Sequence, residues 1–188
     1  MSVYLKKLEE LDIVKVVENP FSNKKQDKRY KISDMLFRFH YTFIEPNVSI
    51  ITAIGMQSKE YILNTQFNEY LGFVYEEVIK QNCFQYGIDH ILPFVPLHVE
   101  KWWGNIKKEN QWIESEIDLI AYNNEEIILG ECKYKNKEVG LKELDSLKLK
   151  SQFINTKKRK IHYLLASKNG FTDELKTISQ DIILIDTY

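Results

Sequence analysis

Apolar and polar positions alternate most clearly over residues 116–135, where the chain reads EIDLIAYNNEEIILGECKYK. Residues 117–122 show the period of two that is typical of a strand. Asn123 and Asn124 follow, and both tolerate the positive φ angles of a tight connection. A second apolar run occupies residues 127–129, so the pattern predicts a β-hairpin. The residues expected on one face of its first strand are Ile117, Leu119 and Ala121.

Three of the charged side chains on this predicted hairpin are candidates for a common site. On the second strand Glu131 and Lys133 point to one face, and Asp118 of the first strand meets Glu131 if the strands pair. Burial and mutual repulsion disfavour two charged carboxylates at close range, and a Mg²⁺ ion with oxygen ligands would offset both effects. Lys133 would then orient or help to deprotonate a bound water molecule. A solvent-facing salt bridge of Lys133 accounts for the same residues, so both interpretations stay open.

A helical pattern precedes the hairpin and carries a further candidate acid. Apolar residues recur at helical spacing over residues 73–83. Glu76 lies close to the apolar face of this predicted helix, whereas Glu77 leans outward. Glu76 is either an ordinary exposed helix charge or an additional acid for the site on the hairpin.

Helices and strands alternate after the hairpin. The pattern predicts a helix over residues 141–153, a strand over 161–166, a short helix over 172–178 and a last strand over 182–185. This order indicates an α/β fold with a mixed central sheet flanked by helices.

Residues 1–45 form a small unit of their own in this interpretation. Helix, strand, basic loop, strand and helix follow one another, as in the second half of a winged helix, with residues 22–29 as the wing. The two further helices that a winged helix needs are not in this sequence, so we expect a partial winged helix. We place a helical connector at 46–70 and the main domain at 71–188.

Two groups of basic residues are candidates for contact with DNA phosphates. The first lies in the wing, where a solvated hairpin tip is the alternative. The second precedes the strand at 161–166, where a solvated strand entrance is the alternative. The residues are Lys24, Lys25, Lys28 and Arg29 in the wing, and Lys157, Lys158, Arg159 and Lys160 before the strand.

Composition narrows the expected partners and compartment. The net charge of −1 over 188 residues gives no overall basic field, so a nucleic acid would have to be bound by local patches. Cys83 and Cys132 show neither metal spacing nor a disulfide framework, which favours reduced thiols and a cytoplasmic protein. We find no signal peptide and no apolar run of membrane-spanning length, and expect no membrane association. Trp102 and Trp103 either stack on bases or pack a sheet against a helix.

The motifs in order resemble a known family. The segments RYKISD, LFRFHYTFIEPN, FVYEEV, KWWGN, EIDLIAY, GECKYK and LLASKNGF span nearly the whole chain. Together they resemble the C-terminal domain, of unknown function, of the archaeal-type P-loop ATPases. The order of Glu76, Asp118 and Glu131-Cys132-Lys133 is similar to that of the PD-(D/E)XK nuclease superfamily, with Ile117 in place of its proline.

The resemblance implies a restriction-endonuclease-like core that hydrolyses phosphodiester bonds of DNA. It implies that Asp118 and Glu131 ligate Mg²⁺ or Mn²⁺ together with the carbonyl of Cys132. Lys133 would position the attacking water, and Glu76 would add either an acid or a contact to the residues that hold the metal. The sequence contains no G-x-x-x-x-G-K-[ST] motif, so an ATPase domain or subunit would be a partner and not part of this chain.

Three functions are compatible with these patterns. The first is a metal-dependent DNA endonuclease, and the second is a catalytically silent DNA-binding or regulatory module of an ATPase. The third is an interaction domain that docks an ATPase subunit through the aromatic segment 35–44. Association into homo-oligomers is compatible with all three.

Overall fold

The computed structural model describes residues 3–21, 27–63, 65–178 and 182–186. Lys24 and Lys25 of the predicted wing lie outside these ranges. Two compact units are present, Met1–Glu18 with Gln26–Val74, and Asn19–Lys25 with Tyr75–Tyr188. The second unit contains Asp118, Glu131 and Lys133.

A two-stranded sheet and several short helices form the first unit. Its strands are β1 (Val14–Glu18) and β2 (Lys28–Ile32), which pair antiparallel. Its helices are α1 (Val3–Glu10), α2 (Met35–Phe39), a π-helical turn (His40–Ile44), 3-10 turns (Glu45–Asn47 and Gly55–Ser58), α3 (Val48–Ile54), α4 (Lys59–Ile62) and the first turns of α5 (Thr65–Ile88).

Capping and aromatic packing shape the segment 35–44. Asp34 begins α2, because its Oδ1 accepts hydrogen bonds from the backbone N–H groups of Leu36 and Phe37 at 2.6 and 3.1 Å. Phe43 is buried and packs on Phe39, with ring centroids 5.2 Å apart. Leu36 and Tyr41 remain 73% and 54% exposed, so this segment has both a packed side and an exposed apolar side.

A five-stranded mixed sheet forms the centre of the second unit, as the sequence predicts. The strand order is β3-β4-β5-β6-β7. The first two pairings are antiparallel and the last two are parallel. The strands are β3 (His98–Lys108), β4 (Gln111–Tyr122), β5 (Glu126–Lys133), β6 (Lys160–Ser167) and β7 (Ile182–Asp186), and the later helices are α6 (Leu141–Ser151) and α7 (Asp173–Thr177).

Helices cover both faces of this sheet. On one face the second half of α5 packs Ile79 and Cys83 against the strands. On the other face α6 packs Leu144 and Leu147. The residues of α5 and the strands that share the first face are Tyr75, Ile79, Cys83, Leu119, Ala121, Ile128, Cys132, Leu164, Ala166 and Ile185.

A β-bulge in β4 overturns part of the predicted alternation. Glu100 pairs with Ile120 and Trp102 pairs with Ile117, so the single residue between them on β3 faces two residues on β4. Ile117 therefore packs on the α6 face, whereas Leu119 packs on the α5 face. The expectation that Ile117 and Leu119 share a face is wrong. The extra residue of β4 at the bulge shifts the alternation by one position, so the two side chains point to opposite faces of the sheet.

Three smaller expectations are settled by burial. Trp102 and Trp103 are 4% and 6% exposed, so they pack in the interior and present no surface for base stacking. Both cysteines are free and buried. Glu77 does not lean outward, because it is 6% exposed and paired with Lys80.

Among the described residues, none of the helices has the length and apolar character needed to cross a membrane.

Candidate functional site

The candidate site lies where β4 and β5 separate. Their pairing runs from Tyr122–Ile127 to Leu119–Gly130. Beyond that point β4 stays paired with β3, and β5 stays paired with β6 as far as Lys133. The two strands therefore form a fork, and Asp118 is the first residue of β4 inside it.

Asp118 closes the fork with its side chain. Its Oδ2 accepts a hydrogen bond of 3.0 Å from the backbone N–H of Cys132 on β5. The carboxylate thus satisfies a buried N–H group that the separated strand no longer pairs. Gly130 permits the close approach of the strands, because a Cβ at this position would lie 3.0 Å from Cβ of Leu119.

Lys101 of β3 forms ion pairs with three acids next to the fork. Lys101 Nζ lies 3.0 Å from Oε2 of Glu116, 3.3 Å from Oε2 of Glu76 and 4.0 Å from Oδ1 of Asp118. Lys101 is the β3 residue opposite the bulge, so the bulge brings its ammonium group near two acids of β4. Glu76 belongs to α5, so its ion pair with Lys101 connects this helix to the acids of β4.

Two further lysines hold Glu131. Lys133 Nζ lies 2.5 Å from Oε1 of Glu131, and Lys150 Nζ of α6 lies 2.8 Å from its Oε2. The Glu131 side chain is only 10% exposed, so these are ion pairs with little solvent screening. Because Lys150 belongs to α6, Glu131 lies on the α6 face of β5.

The two central carboxyl groups respond to their surroundings in opposite directions. Burial, followed by the charges of Glu131 and Glu76, raises the pKa of Asp118 from 3.8 to about 6. Burial also acts to raise the pKa of Glu131, but Lys133 and Lys150 outweigh it and the pKa is lowered. Asp118 therefore carries negative charge that its neighbours compensate poorly, whereas the charge of Glu131 is compensated.

The lysines of the site are held in their charged form. Burial acts to lower the pKa of Lys101, but Glu76, Glu116 and Asp118 raise it to about 12. Burial likewise acts to lower the pKa of Lys133, and Glu131 more than offsets this so that the pKa is raised. Both groups are hydrogen-bond donors at neutral pH and do not accept protons.

At the fork, Asp118, Glu131 and Cys132 are the candidates to ligate a divalent metal ion through an oxygen or sulfur atom. Among the residues that the structure describes, no three His, Cys, Asp or Glu side chains are grouped so as to hold a metal. Mg²⁺ commonly uses only one or two carboxylates and keeps water as its other ligands. Asp118 and Glu131 supply two carboxylates, and both oxygens of Glu131 are paired with lysines whereas the charge of Asp118 is poorly compensated. Burial raises the pKa of the Cys132 thiol well above its usual value, so a thiolate ligand is not offered.

Comparison with known families decides the classification. The chain matches the model of the family DUF234, described as archaeal and bacterial proteins of unknown function, over residues 40–147. This match covers more than half of the 188 residues. The chain belongs to this family.

Two individual proteins are similar to this DUF234 chain. An uncharacterized protein of Methanocaldococcus jannaschii is 31% identical over 140 residues, which is 72% of this chain and 29% of the relative. The chain therefore spans less than a third of that relative's length. The crystal structure of AF1548, a protein of unknown function, has a TM-score of 0.34 and 20% identity over 62% of this chain and 56% of that chain. A TM-score of this size does not establish a shared fold.

The structure of this DUF234 chain brings some predicted site residues together. Glu76 and Asp118 lie near Lys101, and Glu131 is paired with Lys133 and Lys150. The charges of Glu131 and Glu76 both act on Asp118, so the four predicted residues form one electrostatic cluster at the fork. The expectation of one common face holds for Glu131 and Lys133, which are alternate residues of β5.

The basic run before β6 lies elsewhere in the DUF234 chain. Lys160 opposes Glu126 at the first pair of the β5–β6 ladder, five residues from Glu131. That separation corresponds to about 16 Å along β5. Arg159 is engaged structurally, because its Nε donates to the Asn123 carbonyl at 2.6 Å. Lys157 and Lys158 are exposed and share this remote end.

The basic residues of the wing lie in the first unit. Lys28 pairs with Glu18 across the hairpin at 2.5 Å, on the exposed surface. Arg29 is partly buried in β2, directly after Lys28. Their role in binding DNA stays a prediction, as does the division of the chain at residues 45 and 70.

Sequence reasoning missed three residues of the site in this DUF234 chain. The sequence patterns single out neither Lys101, which precedes the two tryptophans, nor Glu116, at the start of the segment 116–135. Lys150 lies within the predicted helix 141–153, where its sequence position gives no sign of a role in the site. For Lys101 and Glu116 the available signal is charge within strand segments, since charged residues are rarely buried without partners. Lys150 lies on a helix, where no such signal exists.

Proposed function

We propose that this DUF234 chain carries a metal-dependent DNA endonuclease domain that hydrolyses phosphodiester bonds. The observation that carries the proposal is the buried pair Asp118 and Glu131 at a strand fork, with the Lys133 ammonium beside Glu131. The raised pKa of Asp118 supports it, because excess negative charge in a buried site favours a divalent cation. The resemblance of the sequence to PD-(D/E)XK nucleases supports the proposal, because it implies these roles for the same residue types.

Each residue of the fork has a role in this proposal. Asp118 and Glu131 would hold Mg²⁺ or Mn²⁺, with the carbonyl of Cys132 as a further ligand. When bound, the ion would supply Lewis-acid activation of the phosphate and a more acidic water molecule. Lys133 donates hydrogen bonds that orient the attacking water or stabilise charge on the phosphate. Its raised pKa favours these roles over that of a general base.

Lys101 and Glu76 act on the site through charge. Lys101 compensates Glu76 and Glu116, so the negative charge that remains is centred on Asp118. Glu76 adds to the negative potential at Asp118 and so strengthens attraction for a cation. In this proposal both are positioning residues.

A catalytically silent DNA-binding or regulatory module is the alternative, and one observation favours it. Lys101, Lys133 and Lys150 already provide three ammonium groups for the buried carboxylates. If these ammonium groups balance the carboxylates, the site needs no metal. Measured metal affinity separates the two functions.

We also propose that the domain works with an ATPase, either in one longer chain or as a separate subunit. The proposal derives from the resemblance to archaeal-type ATPases. It is supported by the size of the Methanocaldococcus jannaschii relative, of which this chain matches only 29%. Binding of the purified chain to a purified ATPase of the archaeal type, measured by calorimetry, tests it.

Cleavage assays test the nuclease directly. Linear duplex, single-stranded and four-way-junction DNA would be incubated with the chain and Mg²⁺, Mn²⁺ or EDTA. We expect cleavage that requires metal and is lost in Asp118→Ala and in Lys133→Ala. Glu125→Ala and Lys142→Ala remove exposed charges away from the fork and serve as matched controls that retain activity.

Calorimetric titration with Mn²⁺ completes the test. Metal binding by the wild type that is lost in Asp118→Ala supports the assignment of the site. Failure of the wild type both to cleave any substrate and to bind metal would overturn the nuclease proposal and leave the silent module.

A further inference from the structure

The parallel strands β5 and β6 end at the same edge of the sheet, close to the fork. Lys133, the last residue of β5, pairs with Ser167, the last residue of β6. In open sheets with parallel strands, ligands bind beyond the carboxyl ends of the strands. The loops that follow these two strands, 134–138 and 168–170, are therefore placed beside Glu131.

Hydrogen bonds hold these two loops together. The backbone N–H of Lys168 donates to the Lys133 carbonyl at 3.1 Å, and that of Val139 donates to the Gly170 carbonyl at 3.0 Å. Thr172 then donates its N–H to the Val139 carbonyl at 3.0 Å. Backbone hydrogen bonds therefore join the two loops at their beginning and at their end. They hold the backbone from which the loop side chains project.

This edge is rich in lysine. The loop sequences YKNKE and KNG contain three lysines and one glutamate. Lys135 and Lys137 are exposed. Lys168 is positioned by its neighbours, because its Nζ lies 2.9 Å from Oδ1 of Asn136 and 4.4 Å from the centre of the Tyr134 ring. We call Lys135, Lys137 and Lys168 the lysine rim.

We propose that the lysine rim binds the phosphate backbone of DNA and delivers it to the Asp118–Glu131 pair. The inference rests on the proposed function, and it names the surface that holds the substrate. A buried acidic site repels a polyanion, so a phosphodiester can approach only if cations beside the site compensate that repulsion. Lysines act as point charges toward phosphate, so the rim binds without reading base sequence.

The position of the rim distinguishes it from the basic run at 157–160. The rim follows the carboxyl end of β5, next to Glu131, whereas Lys160 lies at the opposite end of the same strand. A DNA strand bound at 157–160 would be about 16 Å along β5 from Glu131. The rim follows Lys133 directly in the chain and is hydrogen-bonded to its carbonyl through Lys168, so it lies at the end of β5 that carries Glu131.

Binding without turnover tests the rim. The full chain is titrated into fluorescently labelled duplex DNA in EDTA, and anisotropy gives the affinity between about 50 and 200 mM salt. The test variant is Lys135→Gln with Lys137→Gln. The matched control is Lys107→Gln with Lys108→Gln, two exposed lysines at the end of β3. A third variant, Lys157→Gln with Lys158→Gln, removes the same charge from the remote run.

We expect the rim variant to bind at least about tenfold more weakly. We also expect its slope of log affinity against log salt to fall by about 0.9 for each lost phosphate contact. The control should change neither quantity. Unchanged binding in the rim variant, or an equal loss in the 157–158 variant, would overturn the inference. Matching circular dichroism and thermal melts show that the variants are folded.

The same variants separate this inference from the nuclease proposal. A wild type that binds DNA through the rim but never cleaves it would remove the nuclease and keep the rim. A wild type that cleaves DNA while the rim variant binds and cleaves unchanged would keep the nuclease and remove the rim.

Discussion

At the scale of single residues, Asp118 is where stability and proposed function oppose each other. Burial, with the charges of Glu131 and Glu76, raises its pKa in the folded chain from 3.8 to about 6. An acid whose pKa rises on folding stabilises the fold in its protonated form. That contribution is fully present below pH 3.8 and is lost as the pH rises through about 6. At neutral pH without metal, the site therefore holds an unfavourable charge.

We expect Asp118→Asn to raise the free energy of unfolding of the metal-free protein by about 1 to 3 kcal/mol at pH 7. The amide oxygen can still accept the hydrogen bond from the Cys132 N–H, but it carries no charge. The difference from wild type should shrink toward zero below about pH 4, where Asp118 is protonated in both states. Urea unfolding in EDTA at the two pH values measures this difference.

Asp145→Asn is the matched control, because Asp145 is an exposed carboxylate on α6. Its stability should differ from wild type by less than about 0.5 kcal/mol at either pH. A variant at Asp118 that loses stability at pH 7 would show that the carboxylate is well compensated without a metal.

Removing the charge of Lys101 should destabilise the fold, whereas removing the charge of Asp118 should stabilise it. We expect Lys101→Met to lower the free energy of unfolding by about 3 kcal/mol at pH 7, because three carboxylates lose their shared cation. The loss should be smaller at pH 5, where Asp118 is largely protonated. Lys107→Met, at an exposed position of β3, is the control. Equal urea midpoints for Lys101→Met and wild type would contradict a compensating role.

At the scale of elements, the sequence predicts those helices and strands that have a clear apolar period of their own. The hairpin of β4 and β5 and the alternation of helices and strands follow from apolar period alone. The bulge in β4 does not, because it depends on pairing with β3, which no local pattern encodes. Lys101 was missed for the same reason, since its role exists only when the bulge places it beside Asp118. The sequence predicts a helical connector at 46–70 and a separate helix at 73–83, whereas one helix, α5, runs through Thr65–Ile88.

The fork between β4 and β5 yields a prediction about Gly130. A Cβ at this position would lie 3.0 Å from both Cβ and Cδ2 of Leu119, which is fully buried and cannot move away freely. We expect Gly130→Ala to lower the free energy of unfolding by about 1 to 3 kcal/mol through overpacking. Chemical denaturation measures the loss.

A double-mutant cycle with Leu119→Ala identifies the cause. If the strain arises between these two residues, the double variant is more stable than the sum of the single effects predicts. Gly140→Ala is the matched control, because its nearest neighbours would be 3.4 and 3.5 Å away. Strictly additive effects at positions 119 and 130 would show that the strain does not come from Cγ and Cδ2 of Leu119, the atoms that alanine lacks.

At the scale of the whole molecule, a metal site at the fork belongs to one of the two compact units. The carboxylates, their lysines and the strands that carry them all lie in the unit that contains Tyr75–Tyr188. A ligand that binds only the folded state stabilises it in proportion to the logarithm of its concentration relative to Kd. The stabilisation acts first on the elements whose opening exposes the site.

Hydrogen exchange therefore tests the proposed metal site without any assay of activity. With Mn²⁺ at about 100 times its Kd, the site is stabilised by about 2.7 kcal/mol. We expect slower amide exchange in β4, in β5 and in α5 from Tyr75, and unchanged exchange in β1 and β2, which serve as the internal control. Asp118→Asn should abolish the protection. Protection that survives this substitution, or that extends equally to β1 and β2, would mean that the ion binds elsewhere and that the paired carboxylates are balanced by their lysines alone.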